Sequence, residues 1–140
     1  MAKVTLDVGP AANQTVVVAV AAVNNIGVTI QDRNGPVALR ASVIVDNAGA
    51  GANTCTVSMR KNAVLIPNTT RSLVMIAASR QSVTIDHVDL AAVVGDVYAL
   101  EANVAAVVTA TLLLANQTSL FVEALSQDAA LVAGIGPATA

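Results

Sequence analysis

Charge is scarce in this chain. Lys, Arg, Asp and Glu make up 11% of the 140 residues, against about 25% in an ordinary soluble domain. The formal net charge is −2, and no basic cluster exists beyond Arg60-Lys61. The electrostatic footprint of a nucleic-acid partner is therefore missing. Aromatic side chains are rarer still: there is no Trp, and Tyr98 and Phe121 stand alone. A core must then be built from Val, Leu, Ile and Ala. A single cysteine, Cys55, excludes an intrachain disulfide. The longest apolar run, Val16 to Val23, falls far short of the ~20 residues of a membrane-spanning helix. Lys3 and Asp7 interrupt the N-terminus and no signal-peptide pattern follows, so synthesis in a host cytoplasm is expected, with no membrane partner.

What is present is aliphatic. Hydrophobic residues form 55% of the chain. A domain of this length can bury about 70% of its extended surface without disulfides or metals. With so little charge left to cover the outside, a monomer would expose sizeable apolar patches. An obligate oligomer is the expectation.

The periodicity is that of strands. Lys3 to Val8 alternates and ends at Gly9-Pro10, as a short strand or extended arm. Thr15 to Val23 and Val28 to Gln31 are two further runs, separated by a turn at Asn24-Asn25 and closed by Asp32-Arg33-Asn34-Gly35. From Pro36 onwards eight strands follow at nearly even spacing. They are Val37 to Asp46, Thr54 to Arg60, Val64 to Ile66, Leu73 to Ala77, Ser82 to Leu90, Val97 to Val104, Val107 to Leu114 and Leu120 to Leu125. Between them lie turn residues, including NAGAGAN at Asn47 to Asn53, Lys61-Asn62 and Asn116-Gln117. In Ser82 to Leu90 the apolar phase changes, which predicts a bulge near His87. Val107 to Leu114 is Leu-rich, but its Thr and Val favour a strand over a helix. The spacing predicts an all-β fold, a β-sandwich or barrel. Residues 1–35 read as an N-terminal arm with accessory strands, 36–125 as the sandwich, and 126–140 as an Ala/Gly-rich C-terminal tail.

Asp89 to Val104 (DLAAVVGDVYALEANV) carries the most information. Gly95-Asp96 reads as a tight corner, since glycine accepts positive φ and an aspartate can bind turn amides. After it, Tyr98, Leu100, Ala102 and Val104 share one strand face, and Val97, Ala99, Glu101 and Asn103 the other. The second face is half apolar, which predicts that another chain covers it.

Three passages resemble the tumour-necrosis-factor-like jelly roll, the group that includes complement globular-head domains and many phage virion proteins. VSMRKN at Val57 to Asn62 is similar to its strand-and-turn step. Leu90 to Asn103 resembles its "leucine, spacer, glycine, aspartate, long alternating strand". SLFVEAL at Ser119 to Leu125 resembles its closing strand. In order, these passages span about two-thirds of the chain. The resemblance implies a jelly-roll β-sandwich of about eight antiparallel strands and a homotrimer with one sheet around the three-fold axis. The aromatic girdle of the signalling members is absent here, as are their membrane anchor or collagen stalk, which leaves the phage branch.

Chemistry offers little beside it. His87, between Asp86 and Asp89, is the sole histidine, and neighbouring strand residues point to opposite faces, so neither a metal site nor a general base is expected. Cys55 sits at an inward position, as a packed thiol does. One histidine and no Gly-x-Ser-x-Gly elbow argue against a hydrolase. No phosphate-binding loop is present, and no cofactor is expected. The three Asn-x-Thr triplets headed by Asn13, Asn68 and Asn116 arise readily by chance in an Asn/Thr-rich chain.

These features lead to one expectation: a non-enzymatic structural virion protein. It would be a trimeric decoration or cement protein on the outside of a tailed-phage capsid, with the major capsid protein as partner. Val97, Tyr98, Ala99, Leu100, Glu101 and Phe121 are the expected trimer interface, with Arg40 or Arg60 as partner for Glu101. Val4, Leu6 and Val8 of the arm are the expected capsid contact. The alternative is a fibre head or carbohydrate-binding module touching a host surface. The shortage of aromatic platforms counts against that alternative.

Overall fold

Val37, Leu39, Ala41, Val43 and Val45 alternate with Ala38, Arg40, Ser42, Ile44 and Asp46, and all five of the first set are buried. They belong to β4 (Gly35–Asn47), the longest inner strand and the spine of one sheet. The computed structural model describes residues 4–31, 34–49, 51–105 and 111–125. Along one side of β4 runs β8 (Ser79–Ala92). Its other side is shared end to end by β11 (Thr118–Ala124) and β10 (Thr111–Leu113). Outside these lie β1 (Val4–Gly9), paired to β11, and β2 (Gln14–Thr15), paired to β10. The second sheet runs β3 (Ala21–Thr29), β9 (Val97–Val104), β5 (Asn53–Lys61). The far side of β5 is taken by β7 (Arg71–Met75) and β6 (Val64–Leu65).

All the pairings are antiparallel, and the two sheets face each other across an aliphatic core. The six-stranded sheet contributes the β4 residues with Ile85, Leu113, Leu120 and Val122. The five-stranded sheet contributes Val23, Ile26, Val28, Cys55, Val57, Met59, Tyr98, Leu100 and Val104. Burial pushes the Cys55 thiol up to about 11, leaving it protonated and packed as an apolar group. The all-β sandwich read from the sequence is the observed architecture, and the eight strands expected from Pro36 onwards correspond to β4 through β11. Within the expected strand Val107 to Leu114, residues 107–110 lie outside the described set. So do the tail 126–140 and, in the turn before Asn34, Asp32 and Arg33.

Of the short strand or extended arm expected at the N-terminus, the strand is found: Val4 to Gly9 pairs with β11 residue for residue, from Val4–Glu123 to Gly9–Thr118. Two local readings change. Asn24-Asn25 is not a turn between strands but a bulge inside β3, with Asn25 at φ 63. The backbone groups that the bulge leaves without a ladder partner are met by side chains. Gln14 Oε1 accepts from the Asn24 amide, Gln14 Nε2 donates to the Ala22 carbonyl, and Asp7 Oδ2 accepts from the Gly27 amide. The bulge expected near His87 lies slightly later. β8 stays in register with β4 from Ser79 to Asp89, and the extra residue falls between Asp89 and Ala92. Alternation marks a change of phase but not which residue absorbs it.

Two backbone positions fix the geometry. A Cβ on Gly9 would lie 2.2 Å from the Asn24 carbonyl oxygen, so only glycine lets the edges of the two sheets meet there. The β5–β6 hairpin turns on Asn62 and Ala63, at φ 52 and 65. That is a two-residue primed turn whose second position favours glycine. Gly9→Ala should therefore cost about 1–3 kcal/mol by forced displacement of backbone. Ala63→Gly should gain about 0.5–1 kcal/mol, because relief of the left-handed strain exceeds the added entropy of the unfolded chain. Urea denaturation midpoints of the two variants should move in opposite directions.

Candidate functional site

Two regions bear on function: a polar knot at one end of the sandwich and the outer face of the six-stranded sheet. The knot is where the residues of the sequence resemblance converge. Lys61 ends β5 and faces Tyr98 across the β5–β9 ladder. Asp89 lies on β8 at an inward register position, opposite buried Val37. Gly95, at φ 99, and Asp96 form the corner before β9.

Lys61 Nζ stands 2.7 Å from Asp89 Oδ2 and 3.3 Å from Asp96 Oδ2. The Tyr98 hydroxyl donates to Asp89 Oδ2 at 2.5 Å. Asp96 accepts from the Val93 amide and from Asn62 Nδ2, both at 2.9 Å. Asn62 closes the circuit: its Oδ1 accepts from the Val97 amide and its own amide donates to the Val97 carbonyl. The corner is also tied to the end of β3 by two backbone bonds, Gly95 to Ile30 and Ile30 to Asp96. Since Asp89 belongs to one sheet and Lys61 and Tyr98 to the other, the knot bolts the sheets together.

Its electrostatics are those of a clamp. Burial alone would raise the Asp89 carboxyl, but Lys61, the Tyr98 hydroxyl and the Ala91 amide outweigh it and hold it below the ordinary carboxylate value. The Val93 amide, then Asn62 and Lys61, hold Asp96 low against a smaller burial penalty. Lys61 is raised, chiefly by its bond to Asp89. Burial, then the bond to Asp89, drives Tyr98 far above its usual value. None of the four is tuned towards neutrality, where a general acid or base works best.

The expected interface residues divide between the sheets. Tyr98 and Leu100 are fully buried in the chain's own core, and Val97 is exposed at the start of β9. On the outward side of β9, Ala99 is half-buried and Glu101 is buried. Glu101 takes a hydrogen bond from Ser58 Oγ at 2.9 Å and forms an ion pair with Arg60. Of the two partners expected for Glu101, Arg60 is the one found. Arg40 instead pairs with Asp86 on the other sheet, at 2.7 Å. Phe121 is on β11 in the six-stranded sheet, so the structure does not bring it together with Val97 to Glu101. Ser58 and Arg60 satisfy Glu101 within the chain, while exposed Val97 and half-buried Ala99 keep this face of β9 partly apolar.

The structure instead brings Phe121 together with the arm residues. Leu6 pairs directly with Phe121, and Val4 and Val8 flank it on the same outer face. Val4, Leu6 and Val8 are 50%, 56% and 43% exposed, and Phe121 is half-buried. One cross-strand row of this face reads Leu6, Phe121, Arg40, Asp86 across β1, β11, β4 and β8. On this face β1 presents Val4, Leu6 and Val8, β11 presents Ser119, Phe121 and Glu123, and β4 and β8 carry the Arg40–Asp86 pair beside exposed Val88 and Leu90. His87 lies on the opposite side of β8 from Asp86, opposite Leu39. Among the described residues no three His, Cys, Asp or Glu side chains gather to hold a metal ion. Sequence reasoning did not place Asp89 or Lys61 in a site. The available signal was that a charge at an inward strand position of so charge-poor a chain needs a partner.

No family model matches the sequence, and no curated protein matches it. Solved structures do. Murine APRIL, in its crystal structure at pH 5.0, aligns with a TM-score of 0.55 and 15% identity over 89% of this chain and 100% of that one. The crystal structure at pH 8.0 gives 0.55 and 17% over the same shares. Rabbit GITRL aligns at 0.49 and 19%, over 79% of each chain. The fold is that of the tumour-necrosis-factor-like jelly roll. At these identities the likeness is one of architecture, and the knot and sheet face belong to this chain's own sequence.

The knot gives a signed pH dependence. Both carboxylates are depressed in the folded state, so their contribution is fully present above about pH 4, the unfolded carboxylate value, and is lost as pH falls through the folded values. Asp96→Ala should cost about 2–4 kcal/mol at pH 7, because the Val93 amide and Asn62 Nδ2 lose their acceptor. It should also flatten the acid side of the stability profile. Urea titrations at several pH values would read both effects.

Proposed function

We propose that this jelly roll is a structural virion protein that assembles as a homotrimer and decorates the outside of a tailed-phage capsid. The observation that carries the reading is the exposed apolar flank of Val4, Leu6 and Val8 beside Phe121 on the six-stranded sheet. Exposed aliphatic side chains in register along a strand favour burial against another surface. A chain with 11% charged residues has few means to keep such a flank soluble alone. Self-association is the simplest burial. The sequence resemblance implies a three-fold arrangement, and a closed ring limits assembly to a finite particle.

The sheet geometry refines the division of labour. Val4, Leu6 and Val8 share one face with Phe121, and one face cannot be buried twice. In the proposed trimer we give β1 to the subunit contact rather than to the shell. The shell contact falls to the exposed ends of the sandwich, where three modest contacts per trimer multiply through avidity. The protein acts by shape and burial, with no turnover.

Quantitative mass spectrometry of purified virions tests the reading. Abundance approaching that of the major capsid protein is expected. A few copies per particle would favour the fibre head, and absence from the particle would end the virion assignment. Leu6→Lys should leave far-UV circular dichroism unchanged, because the side chain is exposed in the subunit. It should also reduce chemical cross-linking to the single-chain band.

A further inference from the structure

The two sheets do not close evenly along the β1–β3 side. At Gly9 they touch, since no Cβ fits beneath Asn24. Nearer Thr5 and Ile30 the edges part, and a cavity of about 580 Å³ opens between them. That volume is within the ~300–1,000 Å³ typical of small-molecule sites. Val28, Val37 and Val122 line it from the core side. Thr5 and Asp7 line it from β1, where they share the inward face of the strand and are half-buried.

Asp7 is the one charged side chain among the described residues that line the cavity. Its Oδ2 accepts from the Gly27 amide at 3.0 Å, and among the described residues no Lys or Arg pairs with it. The buried or inward carboxylates elsewhere are matched: Asp89 and Asp96 by Lys61, and Glu101 by Arg60. An anion set in the wall of a half-closed cavity has lost part of its hydration, so a cation entering beside it is favoured. A hard metal ion is a poor match, because it needs several oxygen ligands and no second Asp, Glu, His or Cys lines the space. An organic cation fits better. Its charged head meets Asp7, with the Thr5 hydroxyl two residues along the same strand face as a further acceptor, and its carbon chain meets the valines.

We propose that this cavity binds an aliphatic primary ammonium, held at its head by Asp7 and along its chain by Val28, Val37 and Val122. A free alkylamine and a lysine side chain of another protein share this chemistry.

Titration of the full, isotope-enriched chain with n-pentylamine at pH 7, where the amine is protonated, tests this through amide chemical shifts. Saturable shifts should centre on Gly27, Val28, Val37 and Val122. The neutral isostere n-pentanol should bind more weakly by about tenfold or more. Asp7→Asn, which keeps an acceptor for the Gly27 amide, should weaken pentylamine by a similar factor while leaving the amide spectrum of β8 and β9 in place. Glu123→Gln removes an equal charge from the outer face and should leave binding unchanged. Absence of saturable shifts at these residues would overturn the proposal. So would equal affinity for pentanol, an Asp7→Asn chain that binds as tightly as the parent, or a loss in Glu123→Gln that matches the loss in Asp7→Asn. Nα-acetyl-lysine N-methylamide separates the two sources, and either result upholds the site: tighter binding than pentylamine marks a protein side chain, weaker binding a free amine.

Discussion

The ion-paired knot of Lys61 with Asp89 and Asp96 is the interaction on which the rest of the sandwich depends. The chain spends an unusual share of its few charges there, three of the sixteen Lys, Arg, Asp and Glu residues. Each carboxylate oxygen also accepts a hydrogen bond from Tyr98, Asn62 or a backbone amide. A half-satisfied version would be worse than an apolar end, because removing one member leaves the others charged and poorly solvated. Fully satisfied, the knot sets how β8 of one sheet lies against β5 and β9 of the other. It also orients the corner from which the Tyr98 strand enters the core.

At the opposite flank, among the described residues, no comparable network holds the sheets together along the whole of β1 and β3. Contact there depends on Gly9 and on the clasp that Asp7 and Gln14 place around the β3 bulge. Beyond the clasp the edges diverge, which explains both the cavity and the position of the apolar β1 face at the rim of the six-stranded sheet. The proposed trimer would bury that face.

Much of this was legible in the sequence. Val37 to Val45 and Cys55 to Met59 alternate cleanly because each strand has one buried face, so the strand boundaries and inward residues follow from period-two pattern alone. Lys61-Asn62 and Gly95-Asp96 were readable as turns because positive φ and side-chain capping are local properties. That the two turns meet was not readable, since their contact depends on how strands distant in sequence pair. The same limit explains Phe121 and Val97 to Glu101. Alternation tells which residues share a face but not which sheet a strand joins. The carboxylate on the second face of β9 was legible as a group that needs a partner, but its partners Arg60 and Ser58 lay on the neighbouring strand. Asn24-Asn25 shows a further limit: asparagines that accept left-handed φ serve a bulge as readily as a turn.

The central claim is that the outer flank formed by β1 and β11 is buried between copies of this chain. Sedimentation equilibrium of the unmodified protein over a wide dilution series tests it most directly. The account predicts a single species of about three times the 14.0 kDa chain mass that persists on dilution. A stable, soluble species of one chain mass at every concentration would contradict it.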